Sequence, residues 1–158
     1  LKRVIRALEF YKNTGEKIST HNEEQSQNIS PYNFVYFVLN DKRELLYERI
    51  NKRVDIMFDK GLVNEVKNLL NMGYTKDLVS MNGIGYKEVV DYINGKYSLD
   101  ETKEIIKRET RHFAKRQLTW FRREKDVTMV NYFDYDSIDD TLKYMINTLR
   151  EKDIIKND

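Results

Sequence analysis

Between Pro31 and Asp41 the chain carries Phe34-Val35-Tyr36-Phe37-Val38-Leu39, a compact run of β-branched and aromatic residues bounded by turn formers. Six consecutive apolar positions flanked in this way read as a buried strand. Residues 127–132 read as a second strand. Nearly everything else carries helical spacing, and a single Pro with six Gly allows long helices with few breaks. The fold class is therefore α/β, mostly α.

Residues 1–12 form a helical pattern with Val4, Ile5 and Leu8 on one side, stopped at Thr14-Gly15. Residues 16–30 are polar and aperiodic and read as a loop. Asp41-x-x-Glu44 has the spacing of a capping box and opens a helix to about residue 60. A second amphipathic helix with Leu62, Val63, Val66, Leu69 and Leu70 ends at Gly73. Asn82-Gly83-Ile84-Gly85 is a turn into a short helix over residues 86–93. Ser98-x-x-Glu101 caps the longest helix, which runs to about residue 124. Ser137-x-x-Asp140 opens a last helix with Ile138, Leu142, Met145, Ile146 and Leu149 inward. No internal repeat interrupts this order.

The 158 residues suit one domain or a piece of a larger protein, and a start at Leu1 inside a helical pattern reads as a fragment. With no Cys, thiolate and disulfide chemistry are excluded and a reducing compartment is expected. Two His argue against a histidine-built metal site. No apolar run approaches the roughly 18 residues of a membrane span. No phosphate-loop motif occurs, so this stretch offers no standard nucleoside-triphosphate cradle.

A net charge of +2 conceals strong segregation. Residues 103–125 hold nine Lys/Arg against three Glu, whereas residues 134–158 hold four against seven Asp/Glu. On the first basic helix, roughly 100° of rotation per residue puts Lys42, Arg49, Arg53 and Lys60 in one stripe flanked by apolar residues. Two readings stand: long side chains snorkelling to water, or desolvated cations that require an anion such as a diphosphate. On the long helix, Ile106, Phe113, Gln117, Trp120 and Phe121 share an apolar arc. Lys107, Arg108, Arg111, Lys115, Arg122 and Lys125 share another, with Arg116 at its edge. A solvated face normally mixes signs, so this row favours a polyanion. Trp120 reads as a core anchor. The Gly83–Lys87 turn could offer backbone N–H groups to phosphate, although two glycines in a turn are weak evidence. Asp134, Asp136, Asp139 and Asp140 read as a helix-start acid cluster rather than a calcium loop.

These segments carry a family resemblance. Arg3-Val4-Ile5-Arg6-Ala7-Leu8-Glu9, Leu46-Tyr47-Glu48-Arg49-Ile50 with Arg53-Val54-Asp55, Ile84-Gly85-Tyr86-Lys87-Glu88, and Lys115-Arg116-Gln117 with Thr119-Trp120-Phe121 follow one another in order. In this the chain resembles the C-terminal half of bacterial tRNA dimethylallyltransferases (tRNA isopentenyltransferases), over about residues 3–132.

The resemblance implies a P-loop nucleotide-kinase-like fold with a helical insertion domain that grips the anticodon stem-loop. Residues 1–30 would end that insertion, 31–133 would form the C-terminal part of the core, and 134–158 an acidic tail with a terminal helix. The implied reaction moves a dimethylallyl group from dimethylallyl diphosphate to the exocyclic amine of the adenosine 3′ of the anticodon. The family's phosphate loop and general-base Asp belong to the other half, so the isolated chain is expected to be inactive. Arg53 and Arg49 are the expected diphosphate ligands. Asn82, Gly83, Ile84, Gly85, Tyr86, Lys87, Lys115, Arg116, Gln117, Thr119 and Arg122 are the expected tRNA contacts, with Gln117 and Thr119 named by motif alone. Mg²⁺ would be held mainly by the other half and the substrate diphosphate, with no metal ligand in this chain. A cytoplasmic enzyme, monomeric when whole, is implied. Apolar surface around Phe34–Leu39, left without its partner strands, predicts self-association. A helical RNA-binding module without chemistry, and a protein-interaction domain, remain as alternatives.

Overall fold

The structure, a computed structural model, describes residues 1–28 and 30–156. Residue 29 of the expected loop and residues 157–158 of the tail lie outside the described residues. The chain divides into two compact units, residues 1–34 and 35–158.

The first unit is a helical hairpin of α1 (Lys2–Thr14) and α2 (Ile18–Gln27). α1 stops where Gly15 turns and its N–H donates to the Tyr11 carbonyl at 2.8 Å. α2 corrects the expected loop over residues 16–30. Its sequence lacks an apolar stripe, but it also lacks Gly and Pro and is rich in Glu and Gln, which propagate a helix. One ring contact, Phe10 against His21 at 5.0 Å, ties it to α1. No residue of either helix is buried.

The second unit runs β1 (Tyr36–Asn40), α3 (Arg43–Asp59), α4 (Leu62–Asn71), α5 (Tyr86–Ile93), α6 (Leu99–Phe121), β2 (Val127–Asn131) and α7 (Ile138–Glu151). β1 and β2 pair in parallel, with Tyr36 opposite Val127 and Asn40 opposite Asn131. A parallel pair requires a long crossover, and α3 to α6 supply it. Val38 and Val130 are buried, whereas Leu39 is 50% exposed, so the expected buried strand is covered on only part of its surface. At the carboxyl ends the side chains of Asn40 and Asn131 bond at 3.0 Å.

The core lies among the crossover helices. Val54, Leu62, Val66, Met81, Val89, Val90 and Ile106 are buried together. Gly61 (φ +97°) makes the bend between α3 and α4 that lets both present apolar faces to this cluster. The long helix begins as its sequence predicts. Glu101 N–H donates to Ser98 Oγ at 3.2 Å, and Ser98 N–H donates to Glu101 Oε2 at 2.7 Å. Ser137 likewise caps α7 through the Asp140 N–H at 3.1 Å.

Three expectations are corrected. Asp41 makes no capping box with Glu44; it accepts from the Lys42 N–H at 2.8 Å and pairs with Arg49. On α6 the buried residues are Thr102 and Ile106, while Phe113 and Trp120 are substantially exposed. On α7 the buried residue is Thr141, and Ile138 and Leu142 point outward, Ile138 being 76% exposed.

Candidate nucleic-acid interface

The cation row of α6 divides along its length. Toward the N-terminal part, Lys107 Nζ meets Asp55 of α3 at 2.9 Å and Arg111 Nη1 donates to Asn51 Oδ1 at 2.6 Å. Lys103 lies over the Phe58 ring at 5.4 Å, and Arg108 pairs with Glu109 at 3.1 Å. These cations fasten α6 to α3 or to its own turn. Hydrogen bonding to Asp55 raises the pKa of Lys107, so it holds its charge in that contact. Toward the C-terminal part the pattern changes. Lys115, Arg116, Arg122 and Arg123 are exposed, and among the described residues none forms an ion pair.

The free end of α6 borders a groove of about 590 Å³ against the start of α3. Lys115, Thr119 and Arg122 line it from α6, Lys42, Arg43 and Tyr47 from the α3 side, and Asn40 from the end of β1. Phe133, just after β2, closes it. The groove therefore sits outside the carboxyl ends of the parallel strands, the usual ligand position in open α/β sheets. Two carboxylates border it, Asp41 and Glu44. The Asp41 side chain is only 7% exposed and is spent on Arg49 at 2.8 Å.

A second, shallower hollow of about 420 Å³ lies along α6 between His112, Lys115, Arg116, Thr119, Trp120 and Arg123. Trp120, expected in the core, is 52% exposed here and stands edge-on to Phe121 at 5.1 Å. An exposed indole among cations is a face on which another aromatic ring can stack.

The other expected residues fall into separate places. Arg49 and Gln117 share a cleft beside β1. Arg53 is exposed, with no ion pair among the described residues, and does not line the groove. The stripe of Lys42, Arg49, Arg53 and Lys60 faces solvent rather than a desolvated seam. None of residues 82–87 lines the groove. Both N–H contacts of the Asn82 amide go to backbone, to the carbonyls of Leu78 at 3.0 Å and Lys76 at 3.3 Å. Gly83 is exposed and Ile84 packs on the core. The Gly85 N–H, a candidate for phosphate, is buried and donates to Glu88 Oε2 at 2.7 Å. A side-chain carboxylate of this chain thus already holds that donor. The Tyr86 hydroxyl donates to Glu65, which raises its pKa. Lys87 Nζ lies 3.4 Å from Glu88 Oε1.

Sequence reasoning missed Arg43, Tyr47 and Phe133 as groove residues and placed Lys42 only in the stripe. The Arg43–Tyr47 pair had a signal, since residues i and i+4 are neighbours on a helix; Arg43 Nε donates to Tyr47 Oη at 3.1 Å. Phe133 had none, because the fold alone brings it beside α3.

The chain is thus a mostly helical α/β protein on a small parallel sheet, with an exposed cationic helix end beside a groove at the strand termini. The family model described as IPP transferase matches residues 1–124, and the chain belongs to that family. It is 57% identical to the tRNA dimethylallyltransferase of Lachnoclostridium phytofermentans, over 99% of this chain and 50% of that protein. With the tRNA dimethylallyltransferase of Acetivibrio thermocellus it shares 50% identity over 94% of this chain and 48% of the relative. Among solved structures it resembles the full-length tRNA isopentenylpyrophosphate transferase of Bacillus halodurans. The TM-score is 0.72 and the identity 41%, covering 96% of this chain and 46% of that one. The corresponding enzyme of Staphylococcus epidermidis matches with TM-score 0.72 and 38% identity, over 96% and 48% of the two chains. The chain spans about half the length of the relatives it matches.

Proposed function

We propose that this chain is the C-terminal half of a cytoplasmic tRNA dimethylallyltransferase with a P-loop-kinase-like core, and that it contributes RNA grip and diphosphate charge to the reaction. The observation that carries the reading is the set of exposed cations without ion-pair partners at the end of α6. Three of them, Lys115, Arg116 and Arg122, stand within residues 115–122, and Lys115 and Arg122 line a groove at the strand termini. Residues 1–34 are assigned to the end of the RNA-gripping insertion.

In the reaction the exocyclic amine of the adenosine attacks the terminal allylic carbon of dimethylallyl diphosphate. The carbon–oxygen bond breaks, and the amine proton passes to a general base in the other half. The departing diphosphate carries charge that must be neutralised as it develops. Arg53, unpaired, is the first candidate on this chain and Arg49 the second. Arg49 must exchange its Asp41 contact for the substrate. The adenosine must leave the anticodon-loop stack to react, and Lys115, Arg116 and Arg122 hold phosphates of the loop while it does. Gln117 and Thr119 border the same end of the helix. Asn82 to Lys87 belong to a braced turn. Its exposed Asn82 and Gly83 meet RNA, while Gly85 and Glu88 keep the turn in shape.

Mg²⁺ supplies charge neutralisation on a diphosphate when bound. Among the described residues no group of three or more His, Asp or Glu is placed to hold a metal. No step is routed through a metal held by this chain.

The test is prenyl transfer from dimethylallyl diphosphate to an anticodon stem-loop, read as a mass increase of the RNA. The chain alone should be inactive. Supplemented with the matching other half of a relative, it should transfer, and Arg53→Ala should abolish that gain. Transfer by the chain alone, or unchanged transfer with Arg53→Ala, counts against the reading.

A further inference from the structure

The groove between α3 and α6 holds cations that no family motif quoted above includes. Lys42 and Arg43 line it opposite Lys115 and Arg122, giving four cations against Glu44 and the already paired Asp41. Phe133 is 47% exposed, and Lys42 Nζ lies 5.9 Å from its ring centre. Among the described residues no aromatic ring stacks on it. Phe133 also lies outside the residues matched by the family model. A volume of about 590 Å³ is within the range of small-molecule sites and accommodates a nucleotide.

We propose that this groove seats one nucleotide of the bound RNA, its phosphate held by Lys42, Arg43 and Arg122 and its base laid against Phe133. The proposal rests on the reading that the chain grips RNA. The cations stand on both walls, so a phosphate entering from the α6 side meets charge across the gap. Two features favour a nucleotide over a bare anion. Phe133 supplies an apolar face that a diphosphate would not use. Asn40, locked to Asn131, gives the floor a rigid polar end on which a sugar or base edge can rest.

The experiment titrates the 158-residue chain with a labelled anticodon stem-loop at several salt concentrations, and compares variants whose changed side chains are exposed. The double variant Lys42→Gln with Arg43→Gln should bind more weakly and lower the slope of log affinity against log salt by about 1.4, two lost contacts at roughly 0.7 each. Phe133→Ala should weaken binding roughly 5- to 100-fold by loss of stacking, and Phe133→Tyr should restore it. Circular dichroism should be unchanged throughout. If these variants bind like the parent while Lys115→Gln weakens binding, the groove is not a nucleotide seat although the RNA reading stands. If the parent chain binds no RNA at any salt, the RNA reading fails and the seat with it. If the double variant loses affinity for inorganic diphosphate but not for RNA, the groove serves the diphosphate and the proposal is overturned.

Discussion

Gly85 shows how a backbone donor read as open to phosphate can already be held by a residue of its own helix, Glu88. Both belong to the motif Ile84–Glu88, where spacing suggested backbone donors open to a phosphate. In the structure the buried Glu88 carboxylate takes the Gly85 N–H at 2.7 Å, and Gly85 sits at φ +104°. Removing that acceptor leaves a buried donor unmade, so Glu88→Ala should cost about 1–3 kcal/mol. Glu88→Gln, which keeps an acceptor oxygen, should cost much less. Urea unfolding of both variants checks this; equal losses would show that charge rather than the hydrogen bond matters. Asp91 makes a second prediction. Hydrogen bonds from Lys76 and then Lys96 lower its pKa below the ordinary 3.8. A carboxyl depressed in the folded state adds stability that is complete above the unfolded value and is lost as pH falls through the lower folded one. The urea midpoint should therefore drop below about pH 3.8, and Asp91→Asn should flatten that limb. A variant with the parent's acid limb would contradict the assignment. The Glu88 contact had the i,i+3 spacing of a capping box, but its N-cap is Gly85 rather than Ser or Thr and the spacing was passed over; the Lys76 partner of Asp91, fifteen residues away, had no local signal.

At the scale of elements, legibility followed local signals. The Ser98 cap, the break after about residue 60 and the apolar face of α4 were readable because the chemistry that forms them lies within a few residues. α2 was missed because it has almost no apolar stripe, and periodicity was the signal in use. The Asp41 cap was misread because Arg49, two turns along α3, competes for the same carboxylate. α6 was misjudged in a more informative way. A helical projection shows which side chains share a face, but not which stretch of that face is covered. α3 runs beside α6 to its last turns, where Lys42, Arg43 and Tyr47 line a groove with Lys115, Thr119 and Arg122, yet Phe113, Trp120 and the cations there stay exposed. α7 repeats the lesson, since Ile138 and Leu142 lie on its expected apolar arc yet are 76% and 52% exposed. These outward residues, with Leu39 on β1, predict concentration-dependent self-association. Sedimentation velocity should show it, and Leu142→Lys should reduce it. A parent chain that stays monomeric at every concentration would contradict this.

Over the whole molecule, the two units divide the work unequally. Residues 1–34 bury none of their helical side chains, whereas residues 35–158 hold the core, the sheet and the groove. The strand pairing shapes one end of the groove: the parallel register sets Asn40 at the end of β1 beside Asn131 at the end of β2, and Phe133 follows two residues on. Neither strand reveals that register in its own sequence, which is why the motif residues were legible as a list but not as a surface. RNA recognition is assigned to the free cationic end of α6. The most direct test of that assignment is a titration of this chain with an anticodon stem-loop bearing adenosines at and after the third anticodon base, beside a scrambled loop, at low and moderate salt. The account predicts preference for the anticodon loop, affinity falling steeply with salt, and a clear loss when Lys115 and Arg122 are both changed to Gln. Equal binding of the two loops, or affinity that ignores both salt and those two residues, would contradict it.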